Sequence, residues 1–216
     1  MTPANPPARP GQLQMVWPAS RLDAPPDARV PDGYRLRALG PADAAAHAEL
    51  MRRAGFSEWT AEKLGPWLLK VLPDGLFGIE VKKGSGVFSR NGPAGCCAEK
   101  TPDPFFTLVA TAMATHNPTE QHPFGGELGW VAADPAHGGK GLGRAVCAAV
   151  VGRFLRAGYR RIYLKTDDWR LAAIKSYLKL GFVPFLHHPE MAERWRGVCE
   201  QLSWPFVPQE WRADAA

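Results

Sequence analysis

The chain has 216 residues, is 45% hydrophobic and 22% charged, and carries a formal net charge of +5. That length and apolar share suit one domain with a real core, with or without tails. No stretch of about 18 apolar residues occurs, so no transmembrane helix is expected. The opening MTPANPPARPGQ lacks the apolar run of a secretory leader.

The basic residues are scattered and form no single tract, so the charge points only weakly to an anionic partner. Cys96, Cys97, Cys147 and Cys199 include no C-x-x-C pair, which excludes zinc or thioredoxin-like spacing. Reduced, structural cysteines fit a reducing compartment, and a cytoplasmic location is expected.

Residues 1–31 carry Pro3, Pro6, Pro7, Pro10, Pro18, Pro25, Pro26 and Pro31, and read as a largely irregular arm. Within it Leu13 to Trp17 form an apolar island, a strand or an anchor on the domain. Compact structure is expected from near Gly33, with the main domain over 32–188.

Tyr34 to Leu39 alternate as a strand. Pro41 and Asp43 open a helix running to about Arg53. The next helical stretch, TAEKLGPWLLKVL, contains Gly65 and Pro66, so a kink or a second piece is expected at Pro66. Leu76 to Val81 read as a strand, and residues 84–104 as a surface loop or short hairpin. Phe105 to Thr115 and Glu127 to Ala133 are further strands.

From Leu142 the period changes. Leu142, Val146, Ala149, Val150 and Phe154 recur at helical spacing, and Gly158 marks the stop. Arg161 to Thr166 alternate again. Asp168 is read as the N-cap of a helix carrying Leu171, Ile174 and Leu178 and ending at Gly181. A short strand FVPFL follows, then a terminal amphipathic helix with Met191, Trp195, Val198 and Leu202 on one face, within a C-terminal segment 189–216. Neighbouring strands joined by turns, plus strand–helix–strand units, imply a mixed sheet in an α/β or α+β domain.

The densest local signal is VAADPAHGGKGLGRAV, with Gly138, Gly139, Gly141 and Gly143 between a strand and a helix. Glycine costs backbone entropy, so such a cluster needs a reason. A strand, a glycine loop and a helix start make an anion site, because the first-turn N–H groups lack intrahelical partners and carry the positive dipole end. Lys140 and Arg144 add positive charge. The string is not a P-loop, since G-x-x-x-x-G-K-[ST] is absent. It is not a G-x-G-x-x-G fingerprint either: the sixth position is Arg144 counted from Gly139 and Val146 counted from Gly141. A ligand-free glycine turn is the plain alternative.

The loop DPAHGGKGLGRA resembles the coenzyme A pyrophosphate loop of the GNAT superfamily of acyl-CoA-dependent N-acyltransferases. Gly141 and Gly143 match its glycines, Pro135 the usual proline and Arg144 the following basic residue. Gly138 stands where that family has Arg or Gln. RLAAIKSYLKLGF, residues 170–182, is similar to the family's second signature through Ala173, Tyr177, Lys179, Gly181 and Phe182, with Arg170 in place of Asn. The resemblance covers about 33–187. It implies a GNAT-like mixed, mostly antiparallel central sheet with helices on both faces and a splayed pair of parallel strands.

It further implies acetyl-CoA as co-substrate between strands 127–133 and 161–166. Backbone groups of Val131, Ala132 and Ala133 would hold the pantetheine arm, and Gly138, Gly139, Lys140, Gly141, Leu142, Gly143 and Arg144 the pyrophosphate. Arg170 would donate to the arm or a phosphate, with Ala173 on the same helix. An amine would attack the thioester directly, with Tyr177 as acid to the leaving thiolate and Glu127 as a possible base.

Each role has a plainer counterpart. Tyr177 could be a core tyrosine and Glu127 a solvated strand-end carboxylate. Asp167 and Asp168 could attract a cationic amine, while helix capping explains Asp168 equally well. His116 and His122 could serve as bases but read more simply as loop histidines, and Trp59, Trp67 and Trp195 as packing residues. His187 and His188 lack metal-ligand spacing with other donors, so no metal is expected.

Acceptor contacts are expected from about 52–62 and 116–126. The resulting reading is an N-acetyltransferase acting on a small-molecule or peptide amine, as monomer or homodimer, with no nucleic-acid or membrane partner. The alternative is a catalytically weak or inactive acyl-CoA-binding module of the same fold, motivated by Gly138 and Arg170. A basic nucleic-acid protein is disfavoured because no basic stripe or known motif is present.

Overall fold

The structure is a computed structural model that describes residues 11–82 and 106–210. The loop expected at 84–104, with Cys96 and Cys97, lies outside the described residues.

The centre of the molecule follows from one strand. FTLVATAMATH, Phe106–His116, is buried along nearly its whole length, as a strand covered on both faces must be. Its many Ala and Thr residues let helices approach closely from either side. In chain order the strands are β1 (Leu13–Val16), β2 (Tyr34–Ala38), β3 (Val71–Lys82), β4 (Phe106–His116), β5 (Gly126–Ala133), β6 (Ile162–Thr166), β7 (Val183–Leu186) and the short β8 (Gln209–Glu210). They form one sheet in the order β2-β3-β4-β5-β6-β1-β7-β8. Pairing is antiparallel except for β5 with β6 and β7 with β8.

Helices α1 (Ala44–Arg53) and α2 (Ala61–Leu68) cover one face through Leu50, Met51 and Leu64. On the other lie α3 (Leu142–Arg156), α4 (Leu171–Leu180) and α5 (Met191–Gln201), anchored by Val146, Phe154, Ile174 and Trp195. The chain thus forms the mixed, mostly antiparallel sheet with helices on both faces that its sequence implied.

Several local expectations change. The apolar island of the arm is an inner strand: β1 pairs antiparallel with β6 (Leu13 to Thr166) and with β7 (Gln14 to Phe185). Pro66 does not divide its helix; α2 is one eight-residue helix, and a proline there forfeits the bond to the Glu62 carbonyl. β3 starts at Val71, ahead of the expected Leu76, because an irregularity between Val71 and Leu76, with Asp74 at φ 53°, carries the strand past Pro73. Asp168 is not the cap of α4: Arg170 holds that position, while Asp168 binds the guanidinium of Arg194.

Candidate active site

β5 and β6 begin side by side and then part. Their parallel pairing covers Gly126 with Ile162 and Glu127 with Tyr163, and stops there. A bulge in β5 helps force the separation: against β4, Gly129 faces Met113 and Ala132 faces Thr111, so β5 uses one residue more. Trp130 sits in that bulge at φ 50°. A left-handed tryptophan is strained by about 1–2 kcal/mol. Packing holds it there, with Trp59 at 4.3 Å, Trp67 at 5.0 Å and Phe56 at 6.0 Å between ring centroids.

Beyond the fork lies a cleft of about 460 Å³, lined by Glu127, Val131, Lys165, Thr166, Arg170 and Tyr177 among others. From Leu128 onward the β6-facing edge of β5 has no strand partner. The backbone of Val131 and its neighbours is therefore positioned to bond an extended ligand. The Ala132 side chain faces away, into the core under α1 and α2, and Ala133 is exposed.

Glu127 enters the cleft from the first turn of this fork. Its Oε2 accepts from the Asn117 side-chain amide and lies 3.1 Å from the Tyr163 hydroxyl, which also donates to the Asn117 carbonyl at 2.7 Å. Lys165 Nζ stands 3.9 Å away. Among the described residues nothing donates to Oε1, so one oxygen is fixed and the other is available to a ligand. Burial pushes the Tyr163 hydroxyl well above the ordinary tyrosine range, and the Glu127 charge adds to that. Tyr163 therefore stays a neutral donor.

Below it, His122 is fully buried and stacks on the Tyr163 ring at 3.9 Å, with Nε2 at 2.7 Å from Gln14 Oε1. Burial, with the charges of Arg161 and Lys165, lowers its pKa to about 3. His122 thus lies in the loop between β4 and β5, as expected, but is buried there as a support of the site. His116 ends β4 and pairs with the Tyr159 hydroxyl at 2.8 Å, away from the cleft.

Tyr177 is buried on α4 and lines the same cleft. Its hydroxyl has no hydrogen-bond partner among the described residues. Burial raises its pKa far above that of a free tyrosine, with Cys147 adding and Arg170 opposing. It holds its proton at neutral pH and can release it only to a strong base close by. Arg170 also lines the cleft, but its Nε binds Asp167 Oδ2 at 3.0 Å and its guanidinium lies over Phe56 and Trp169. Ala173 packs against the core beneath α4 and is not among the residues lining the cleft.

The glycine loop follows β5. Asp134 caps a short turn by accepting from Ala136 N and pairs with Arg53 at 2.8 Å. Gly139 and Gly141 adopt φ 76° and 75°, which explains glycine at those two positions. Gly138 has φ −58°, open to any residue, so its departure from the family motif removes a side chain and no backbone freedom. The first bond of α3 runs from Ala145 N to the Gly141 carbonyl. The N–H groups of Leu142, Gly143 and Arg144 precede any intrahelical acceptor and open the helix at its positive end. Tyr34 of β2 secures the loop, receiving Lys140 Nζ at 2.8 Å and meeting His137 Nδ1 at 2.8 Å.

The structure therefore brings Glu127, Val131, Arg170 and Tyr177 into one cleft. Phe56 and Asn117 also line it, within the two segments expected to meet an acceptor, while Gln12, Trp67, Trp130 and Lys165 are lining residues that sequence reasoning missed. Gln12 donates to Asp167 Oδ1 at 3.1 Å, so a residue from before β1 closes the cleft's rim. Among the described residues no group of His, Cys, Asp and Glu is arranged to hold a metal ion.

With a splayed strand pair, a helix start of N–H groups that lack intrahelical acceptors and a tyrosine lining the gap, the fold is that of an acyltransferase, and the chain belongs to the acetyltransferase (GNAT) family, whose model matches residues 52–182. Among curated relatives it is similar to a mycothiol acetyltransferase of Nocardia farcinica, 34% identical over 163 residues, covering 74% of this chain and 48% of that protein. A second mycothiol acetyltransferase, from Rhodococcus erythropolis, is 32% identical over 176 residues, covering 79% and 54%. The chain thus spans about half the length of the curated relatives it matches. Among solved structures, a GCN5-related N-acetyltransferase of Sphaerobacter thermophilus shares the fold at TM-score 0.53 and 22% identity, covering 82% of this chain and 49% of that one. Among the described residues no helix is long and apolar enough to cross a membrane.

Proposed function

We propose that this protein transfers the acetyl group of acetyl-CoA directly to a primary amine of a small-molecule acceptor. The observation that carries the reading is the placement of Glu127 and Tyr177 on one cleft opened by the parting of β5 and β6. The pantetheine arm fits along the free edge of β5 at Val131, and the diphosphate against the N–H groups of Gly139 to Arg144.

An amine enters as an ammonium ion. Glu127 accepts one proton through its available oxygen, and the neutral nitrogen attacks the thioester carbonyl carbon. The tetrahedral intermediate collapses with cleavage of the C–S bond, and the departing thiolate takes the Tyr177 proton. The second nitrogen proton leaves to solvent, and Tyr177 is reprotonated from it. The raised pKa of Tyr177 keeps the proton in place before the reaction but opposes its release, so the step relies on a thiolate that develops unsolvated in the same cleft and is itself made more basic there.

The cleft's rim supports a polar acceptor: Gln12, Asn117, Asp167 and Glu127 offer hydrogen bonds, and Phe56 and Trp67 supply flat apolar walls. The names of the relatives, mycothiol acetyltransferases, also point to a small molecule and away from a peptide.

The test is thiol release from acetyl-CoA across a panel of amines, with calorimetry of CoA binding alongside. Tyr177→Phe is expected to lower kcat by about 100-fold or more while leaving CoA affinity within a factor of about three. Glu127→Gln is expected to lower kcat/KM most at low pH, where the ammonium form dominates. Binding of CoA with no turnover on any amine would replace this reading with the acyl-CoA-binding module. The engagement of Arg170 by Asp167 and Phe56 is the feature that favours that second reading.

A further inference from the structure

A second cavity, about 690 Å³, lies beside the start of α3, on the side where the segment between β1 and β2 crosses the molecule. Its charged lining is Arg21, Arg29, Lys140, Arg144, Lys179 and Asp27. Asp27 pairs with Arg29 at 2.8 Å. Among the described residues Arg21, Lys140, Arg144 and Lys179 have no carboxylate partner.

The placement of these cations separates two anion positions. Lys140 and Arg144 sit at the N-terminal end of α3, which has no acidic residue in its first turn. Cations there oppose the helix dipole, so they are unfavourable until an anion arrives. A diphosphate on the loop amides answers for that pair. It does not answer for Arg21, which reaches in from the arm; Lys179, which the dipole of α4 already favours in its last turn, shares the same lining. Arg21 is placed with some care: its guanidinium lies 5.9 Å from the Trp17 ring centroid, and the Trp17 indole N–H donates to its carbonyl at 3.1 Å. A Cβ on Gly181 would stand 2.4 Å from its Nη1, so glycine leaves the room the guanidinium occupies.

We propose that Arg21 and Lys179 bind the 3′-phosphate on the ribose of coenzyme A, so that the arm makes the protein discriminate CoA from its dephosphorylated form. The proposal rests on the reading that an acyl-CoA occupies the adjoining cleft. Coenzyme A carries a diphosphate and, one ribose away, a phosphomonoester. The first meets the α3 end, and the second falls between the arm and the end of α4. A phosphomonoester accepts several charge-assisted hydrogen bonds, which a guanidinium and an ammonium both supply.

The experiment is calorimetric titration of the full chain with CoA and with 3′-dephospho-CoA at low and moderate salt. The wild type is expected to bind CoA at least about tenfold more tightly, with the ratio shrinking as salt rises. In the double variant Arg21→Ala, Lys179→Ala the ratio is expected to fall below about two, with dephospho-CoA affinity unchanged. Both side chains are exposed, and circular dichroism checks that the variant is folded. Equal wild-type affinity for the two ligands overturns the proposal and leaves the acetyltransferase reading standing. A preserved ratio in the double variant overturns the residue assignment. Failure of the wild type to bind either ligand overturns both readings.

Discussion

Mild acid is expected to loosen this fold, and two histidines set the scale. His122 and His47 are both fully buried. His122 Nδ1 has no partner, and neither nitrogen of His47 has one. Burial lowers the first from 6.5 to about 3 and the second to about 4, the latter against the pull of Asp43. A folded-state pKa below the unfolded value means that the unfolded chain takes the proton first as pH falls. The stability each neutral imidazole carries is therefore complete above pH 6.5 and is lost between 6.5 and the folded value. At pH 5.5 each histidine has cost about 1.4 kcal/mol, and the pair about 3 kcal/mol. That is a large share of a typical domain stability of about 5–15 kcal/mol. Urea unfolding midpoints at pH 7.5, 6.5 and 5.5 measure the loss. His122→Phe keeps a ring against Tyr163 but cannot titrate, and should remove about half of the dependence. A midpoint unchanged from pH 7.5 to 5.5, or the imidazole of His122 or His47 titrating near 6.5 in the folded protein, would refute the reasoning.

Three glycine substitutions test the geometry of the fork and the loop. A Cβ on Gly126 would lie 2.5 Å from the buried Phe154 ring, so Gly126→Ala is expected to cost about 1–3 kcal/mol by overpacking and to lower the thermal midpoint by several degrees. Gly141→Ala and Gly143→Ala should differ in sign: both positions are open, but only Gly141 has positive φ. The first is expected to destabilise by about 1 kcal/mol and the second to stabilise by up to about 1 kcal/mol, read by thermal melts.

What the sequence made legible was local. Alternation marked β2 and β6, runs of strand-forming residues marked β4 and β5, and the glycine cluster with the period change at Leu142 marked the loop and α3. Tyr177 and Glu127 came from resemblance and proved to share a cleft. The misses were long-range. Nothing near Leu13 announces partners at Thr166 and Phe185, because a four-residue strand carries no record of its neighbours. Asp168 looks like a cap in any local window, and only the fold brings Arg194 to it. Trp67 has the same composition signal whether it faces a core or a ligand. Asn117 and Tyr163 acquire their role only when the two chain segments meet at Glu127.

The insertion of β1 has a consequence for how the molecule is made. This segment has no mate until β6 and β7 have been synthesised, some 150 residues later. Within the sheet, the edge formed by β7 and β8 meets the other strands through β1. Closure of such a distant pairing is slow, and assembly should finish here. The same ribbon places Gln12 at the rim of the cleft and Arg21 on the second cavity, so the pairing that forms late is also the one that completes both surfaces.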